Sequence, residues 1–125
     1  LEARFSLAKQ DNSIYELSKQ LVDKTKSKNV ILKLGSNGML CIEKKNTNKY
    51  FTLGSFVKNL IDPVGAGDAL CSYATLGLMA SGSIKIATIL GALAAACECE
   101  FDGNIPIESS EVLKKIDYYE KISKL

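Results

Sequence analysis

Apolar positions fall into three regimes along the chain. Ile14, Leu17, Leu21 and Val22 recur at three- and four-residue intervals behind the candidate N-caps Asp11, Asn12 and Ser13, which predicts an amphipathic helix over 13–27. From Val30 the apolar residues instead come in short runs separated by turn-forming residues. Residues 30–34, 39–43, 49–53 and 56–60 read as strands, with Gly35-Ser36-Asn37-Gly38 as a turn and the polar segment 44–48 as a hairpin loop. After Ile61 the chain becomes rich in Ala, Leu and Gly. Two helices are predicted there, over about 67–80 and 83–99, split by Ser81-Gly82-Ser83. Their apolar residues lie all round, which predicts burial on every side. A loop over 101–106 leads to a last amphipathic helix, capped by Ser109 or Ser110 and running to about Ser123. Val112, Leu113, Ile116 and Tyr119 are expected on its inner face.

Composition narrows the classes. The chain has 125 residues, 46% hydrophobic and 24% charged, which suits one globular domain with a sizeable core. A net charge of +2 with scattered lysines argues against a nucleic-acid partner. Asp68 and Lys85 cut the apolar runs well short of the ~20 residues a membrane span needs, so no membrane role is expected. Cys41, Cys71, Cys97 and Cys99 match no zinc spacing, and there is no histidine. Buried thiols in a reducing cytoplasm are the expectation. A secretory signal is not expected from the polar N-terminus, and the start at Leu1 reads as a mid-protein start.

The segment Asp62-Pro63-Val64-Gly65-Ala66-Gly67-Asp68 carries the candidate chemistry. Two glycines around an alanine permit a tight turn and a close backbone approach to a ligand. A helix start directly after them aims amides and the helix dipole at one spot, which makes an anion site. Such amides stabilise the charge spread over a moving phosphoryl group. Asp68, on the first helical turn, stands where it could take the proton of an attacking hydroxyl. The segment is neither a Walker A loop nor the dinucleotide fingerprint, since Leu70 replaces the third glycine of G-x-G-x-x-G. Taken alone, these residues are equally compatible with a plain turn before a helix.

In its wider setting the segment resembles the D-T-x-G-A-G-D signature of the PfkB/ribokinase family of carbohydrate kinases. Leu1-Glu2-Ala3-Arg4 resembles the end of the family's N-x-x-E segment. Lys33-Leu34-Gly35-Ser36-Asn37-Gly38 resembles its T-x-G-x-x-G turn, and the run 92–97 with Gly103 resembles its alanine-rich helix and following loop. These features occur in family order over nearly the whole chain.

The resemblance implies an α/β, Rossmann-like ribokinase core, of which residues 1–125 would be the C-terminal nucleotide-binding and catalytic part of a single kinase domain. The N-terminal part and a β lid would lie outside the chain. It implies ATP-dependent phosphorylation of a sugar or sugar-phosphate hydroxyl, with Asp68 as base and the amides of Gly65, Ala66 and Gly67 as the anion hole. Lys33, Gly35 and Gly38 would lie along the nucleotide. Mg²⁺ would accompany ATP, held through water by Glu2. Asp62 and the Val64 carbonyl match the positions where many members bind a monovalent cation such as K⁺. A homodimer of the full-length protein is compatible with the family. Pro63 and Lys33 replace family threonines, and Pro63 removes a hydroxyl and an N–H. Glu2-Ala3-Arg4 and the stretch 101–106 look most like the heptose-phosphate kinase branch, whose members are sometimes fused to a nucleotidyltransferase. The alternatives are a non-catalytic nucleotide-binding domain and a kinase of the same fold acting on a nucleoside or vitamin precursor. The fragment alone is expected to be inactive.

Overall fold

The computed structural model describes residues 13–47, 49–103 and 105–124. The chain divides into two compact units, Leu1–Gly54 and Ser55–Leu125.

In the first unit, helix α1 (Ile14–Thr25) starts where the sequence placed it. Ser13 is extended, and its side chain accepts a hydrogen bond from the Glu16 amide at 3.2 Å. The helix ends at Lys26, which takes a left-handed conformation (φ 57°). Strands β1 (Asn29–Lys33), β2 (Met39–Glu43) and β3 (Tyr50–Leu53) form an antiparallel sheet in the order β1-β2-β3. Leu32 pairs with Leu40, and Leu40 in turn with Thr52. Helix α1 packs on β1 and β2, and its buried Leu17 and Val22 match the apolar stripe. Leu40, Cys41 and Ile42 of the central strand are also buried. Ser18 is buried as well, and its hydroxyl donates to the Ile14 carbonyl at 2.8 Å, so it leaves no unpaired donor.

The β1–β2 connection is a short turn in which the Leu34 amide donates to the Gly38 carbonyl at 2.8 Å. Gly38 has φ 86° and ψ −130°, a conformation open essentially to glycine alone. A Cβ there would overlap the Leu53 carbonyl.

The second unit is helical. Helix α2 (Ala66–Ser81) ends at Gly82, left-handed at φ 67°, whose amide donates to the Leu78 carbonyl. Ser83 then caps helix α3 (Ile84–Cys99) by accepting from the Ile86 amide. Helix α4 (Ser109–Ser123) opens with a capping box formed by Glu108 and Glu111 rather than by a serine. Helices α2 and α3 approach closely because small residues face each other. A Cβ on Gly77 would come within 3.3 Å of the Ala87 Cα. One on Gly91 would lie 2.8 Å from the Leu70 carbonyl oxygen and 3.0 Å from the Ala74 Cβ. Gly91→Ala should therefore destabilise the full-length protein by about 1–3 kcal/mol, because rigid neighbours must move apart. A shift in the midpoint of denaturant unfolding measures it; an unchanged midpoint would refute the close contact.

Leu93, Ala94, Cys97 and Val112 form the core of this unit, with Phe56, Ile116 and Tyr119 packed around them. Burial pushes the Cys97 thiol up from its ordinary pKa, with Lys115 opposing and Glu100 and Glu111 adding to the rise. Cys97 therefore stays a protonated, apolar core residue. Cys41 and Cys99 are also buried, as expected, whereas Cys71 is exposed, contrary to the expectation.

Three other expectations are corrected. Residues 56–60 form no strand. Side chains take two of their backbone groups instead: the Phe56 carbonyl accepts from the Tyr119 hydroxyl at 3.3 Å, and the Lys58 amide donates to Glu100 Oε1 at 2.9 Å. Phe56 and Tyr119 pack as a tilted pair, with ring centroids 4.7 Å apart and planes at 56°. Helix α2 is not buried all round, since Leu76 is 63% and Met79 80% exposed. Leu113 points outward, because it lies ~100° round the helix from Val112, off the Val112–Ile116–Tyr119 row.

Candidate functional site

The predicted site residues fall in different places. Glu2 lies outside the described residues. Lys33 is the exposed end of β1, and Gly35 and Gly38 bracket the following turn, all in the first unit. Asp62, Val64, Gly65, Ala66, Gly67 and Asp68 lie together in the second unit.

The turn is built from its backbone. The Ala66 amide donates to the Pro63 carbonyl at 3.3 Å, which closes a tight turn with Val64 and Gly65 at its centre. Gly65 sits at φ 84° and ψ −20°, the left-handed geometry that such a turn asks of its third residue and that glycine adopts without strain. The carbonyl of Gly65 then accepts the first helical hydrogen bond, from the Ala69 amide at 3.0 Å. Gly65 is thus the N-cap of α2, and it has no side chain to cap the amides ahead of it. Within the helix, the amides of Gly67 and Asp68 have no acceptor four residues back. The positive end of a 16-residue helix is left facing the turn. Asp68 lies in the first turn of α2 with its side chain exposed. Helix-start amides without a side-chain cap and a carboxylate therefore share one helix start.

The structure adds a support that the sequence did not reveal. The Asp62 carboxylate bridges two loops: Oδ1 accepts from the Val64 amide at 2.9 Å and Oδ2 from the Gly103 amide at 3.3 Å. The amides of Ile61 and Asp62 both donate to the Cys99 carbonyl, at 2.8 and 3.2 Å. The end of α3 therefore holds the signature loop in place. Glu100, next to Cys99, receives Lys115 on both carboxylate oxygens, at 3.0 and 2.9 Å, and the Lys58 amide besides. No local motif links Asp62 to Gly103, since 41 residues separate them. Glu98 was missed as well. It is 3% exposed, and its Oε1 has no hydrogen-bond partner. An acid inside Ala94-Ala95-Ala96-Cys97-Glu98-Cys99 gives no sequence signal of its own.

Among the described residues, no group of three or more His, Cys, Asp or Glu side chains could hold a metal ion. A single carboxylate with carbonyl oxygens, as Asp62 and Val64 offer, is an oxygen-only donor set of the kind hard cations take. No helix among the described residues is long and apolar enough to cross a membrane.

Residues 1–109 match the family model described as pfkB family carbohydrate kinase. No curated protein matches the chain. Several solved structures share its fold. Ribokinase from Thermotoga maritima superposes with a TM-score of 0.78 at 24% identity, over 93% of this chain and 38% of its own. Phosphofructokinase-2 from Escherichia coli, in complex with potassium, gives 0.81 at 19% identity, over 95% and 38%. A nucleoside kinase from Methanocaldococcus jannaschii gives 0.64 at 20% identity, over 86% and 34%. The chain thus spans little more than a third of the length of these structures. Its fold is α/β, that of part of a ribokinase-type core.

Proposed function

The chain belongs to the pfkB family of carbohydrate kinases, and from that premise we propose that the full-length protein transfers the γ-phosphoryl group of ATP to a hydroxyl of a sugar or sugar phosphate. The observation that carries the reading is the helix start itself: a positive-φ glycine opens α2 with uncapped amides, and Asp68 stands in its first turn. In the reaction, the acceptor oxygen attacks the γ-phosphorus as its proton passes to the Asp68 carboxylate. The bond from the γ-phosphorus to the bridging oxygen breaks, and ADP leaves. Charge on the γ-phosphoryl oxygens is met by the amides at the start of α2 and by the helix dipole. The Gly67 amide, with no acceptor four residues back within the helix, is proposed to serve directly. The Ala66 amide joins only by exchanging its 3.3 Å bond to Pro63 for the phosphoryl oxygen.

The turn from Lys33 to Gly38 contributes to nucleotide binding, and exposed Lys33 offers an ammonium to a phosphate. Mg²⁺ bound with ATP supplies neutralisation of the phosphate charge, and Glu2 is the residue proposed to hold it through water. Asp62 and the Val64 carbonyl are proposed to hold a monovalent cation. The phosphofructokinase-2 neighbour solved in complex with potassium supports a monovalent cation as a ligand of this fold. The residues that choose the acceptor belong to the part of the protein outside this chain, so these 125 residues alone are not expected to turn over.

A nucleoside acceptor is the second reading, favoured by the nucleoside kinase among the structural neighbours. Incubating full-length protein and Mg-ATP with sugars, heptose phosphates, nucleosides and vitamin precursors, and following ADP release, separates the two. The expected result is turnover on a sugar or sugar phosphate. Turnover confined to nucleosides would establish the second reading, and ATP binding without turnover on any acceptor would reduce the protein to a nucleotide-binding domain.

A further inference from the structure

Helix α3 carries a buried acid that the proposed chemistry does not use. Glu98 is 3% exposed, and its Oε1 has no hydrogen-bond partner. Its own helix does not favour it, since Glu98 stands in the last turn of α3, the negative end of the dipole, with no basic residue in that turn. Its position follows from the helix pair. Gly77 meets Ala87, and Gly91 meets Leu70 and Ala74, so α2 and α3 run antiparallel with Gly91 facing α2. Glu98 follows Gly91 by seven residues, so it shares that face about 10 Å further along. The same distance carries α2 back from Leu70 and Ala74 to its start at Gly65, Ala66 and Gly67. A second tie agrees: the carbonyl of Cys99, the next residue, accepts from the Ile61 and Asp62 amides and fastens the segment that leads into that start.

We infer that Glu98 tunes the helix start by its charge: its buried carboxylate stands beside the uncapped amides of α2 and holds down their affinity for a phosphoryl group. The inference rests on the proposed binding of nucleotide phosphates at those amides. The positive end of α2 is what favours a carboxylate so placed. A phosphoryl group arriving there competes for the same dipole and meets the carboxylate's charge. The other acids around the turn act less. Asp68 and Asp102 are exposed, so water and salt screen them. Asp62 is held by the Val64 and Gly103 amides, and Glu100 by Lys115. Glu98 is buried and its Oε1 unpaired, so its charge is the least screened of the five. Glu98 thereby sets how tightly the resting site holds the nucleotide.

Two variants of the full-length protein test this. Glu98→Gln keeps the shape of the side chain and removes the charge, and Glu98→Ala removes both. Titration calorimetry with Mg²⁺ and a non-hydrolysable ATP analogue should show binding about tenfold tighter in either variant, the effect of one charge ~10 Å away at an effective dielectric of roughly 20. Mg-ADP, which lacks the γ-phosphoryl group, should gain less. Adenosine should bind within about twofold of its original affinity, because it carries no charge for Glu98 to oppose. A merely structural role would move all three ligands together. Unchanged or weaker binding of the analogue would overturn the inference, and so would an equal gain for adenosine. Failure of both variants to fold would make Glu98 a structural residue and overturn it too. Phosphoryl transfer that persists beside unchanged binding would leave the kinase reading standing and end this inference alone. An original protein that binds no analogue would end both.

Discussion

Asp68→Asn in the full-length protein is expected to lower turnover by about 10²–10⁴-fold, the usual contribution of a positioned general base. The argument is local. Asn keeps the size and shape of the side chain, and position 68 is exposed in the first turn of α2, so the fold should not suffer. The backbone cradle is untouched, because Gly65 sets it through its own φ and the Ala66–Pro63 hydrogen bond. Nucleotide affinity should therefore change little, and it should rise slightly if anything, since a negative charge near the phosphates is removed. The loss should appear in kcat and in kcat/KM alike, the sign of an interaction made in the transition state. Near-normal kcat in this variant would remove Asp68 from the chemistry while leaving the anion cradle in place. Titration calorimetry with Mg-ADP on the same variant separates lost binding from lost chemistry.

Gly38→Ala is expected to have the largest effect on stability. Two costs add. A residue with a Cβ is forced into a glycine-only region, at about 1–3 kcal/mol. The new methyl also overlaps the Leu53 carbonyl, so the end of β3 must move, at a further ~1–3 kcal/mol. Gly35, three residues earlier in the same turn, provides the control. It also has positive φ, 60°, but a Cβ there meets nothing within 4 Å. Gly35→Ala should cost only the left-handed penalty of about 1–2 kcal/mol. Urea unfolding of both variants of the full-length protein measures the difference, and equal midpoints would show that the Gly38–Leu53 approach does not constrain the turn. Because the same turn is proposed to lie along the nucleotide, Gly38→Ala should also weaken Mg-ATP binding.

The parts of this structure governed by local chemistry were legible in the sequence. Strand β2 and the helices α2 and α3 lie within a residue or so of their expected bounds, because Gly82 and Ser83 punctuate the helices and Gly35 and Gly38 punctuate the strands. The turn and helix start proposed as an anion site were legible for the same reason: Gly65, Ala66, Gly67 and Asp68 are consecutive, and the turn is closed by the neighbouring Pro63. What depended on distant partners was not. Residues 56–60 have the composition of a strand, but a strand exists only by pairing, and Tyr119 and Glu100 take its backbone groups instead. The tie from Asp62 to Gly103 spans 41 residues and leaves no periodicity to read. The apolar pattern of α2 misled about burial, because α3 covers the side of Ala74 and Gly77 while Leu76 and Met79 stay exposed. Leu113 shows the limit of periodicity itself, since one residue either way round a helix decides between core and solvent.

The central claim is that a phosphoryl group moves from ATP to a sugar hydroxyl at the start of α2. Single-turnover mixing of full-length protein, in excess, with ATP labelled in the γ-phosphate and the acceptor found in the panel tests it most directly. The account predicts that the label appears in a sugar phosphate in one phase, and that Asp68→Asn slows that phase by about 10²-fold or more. Label that stays in ATP, or that appears only as inorganic phosphate, would contradict it.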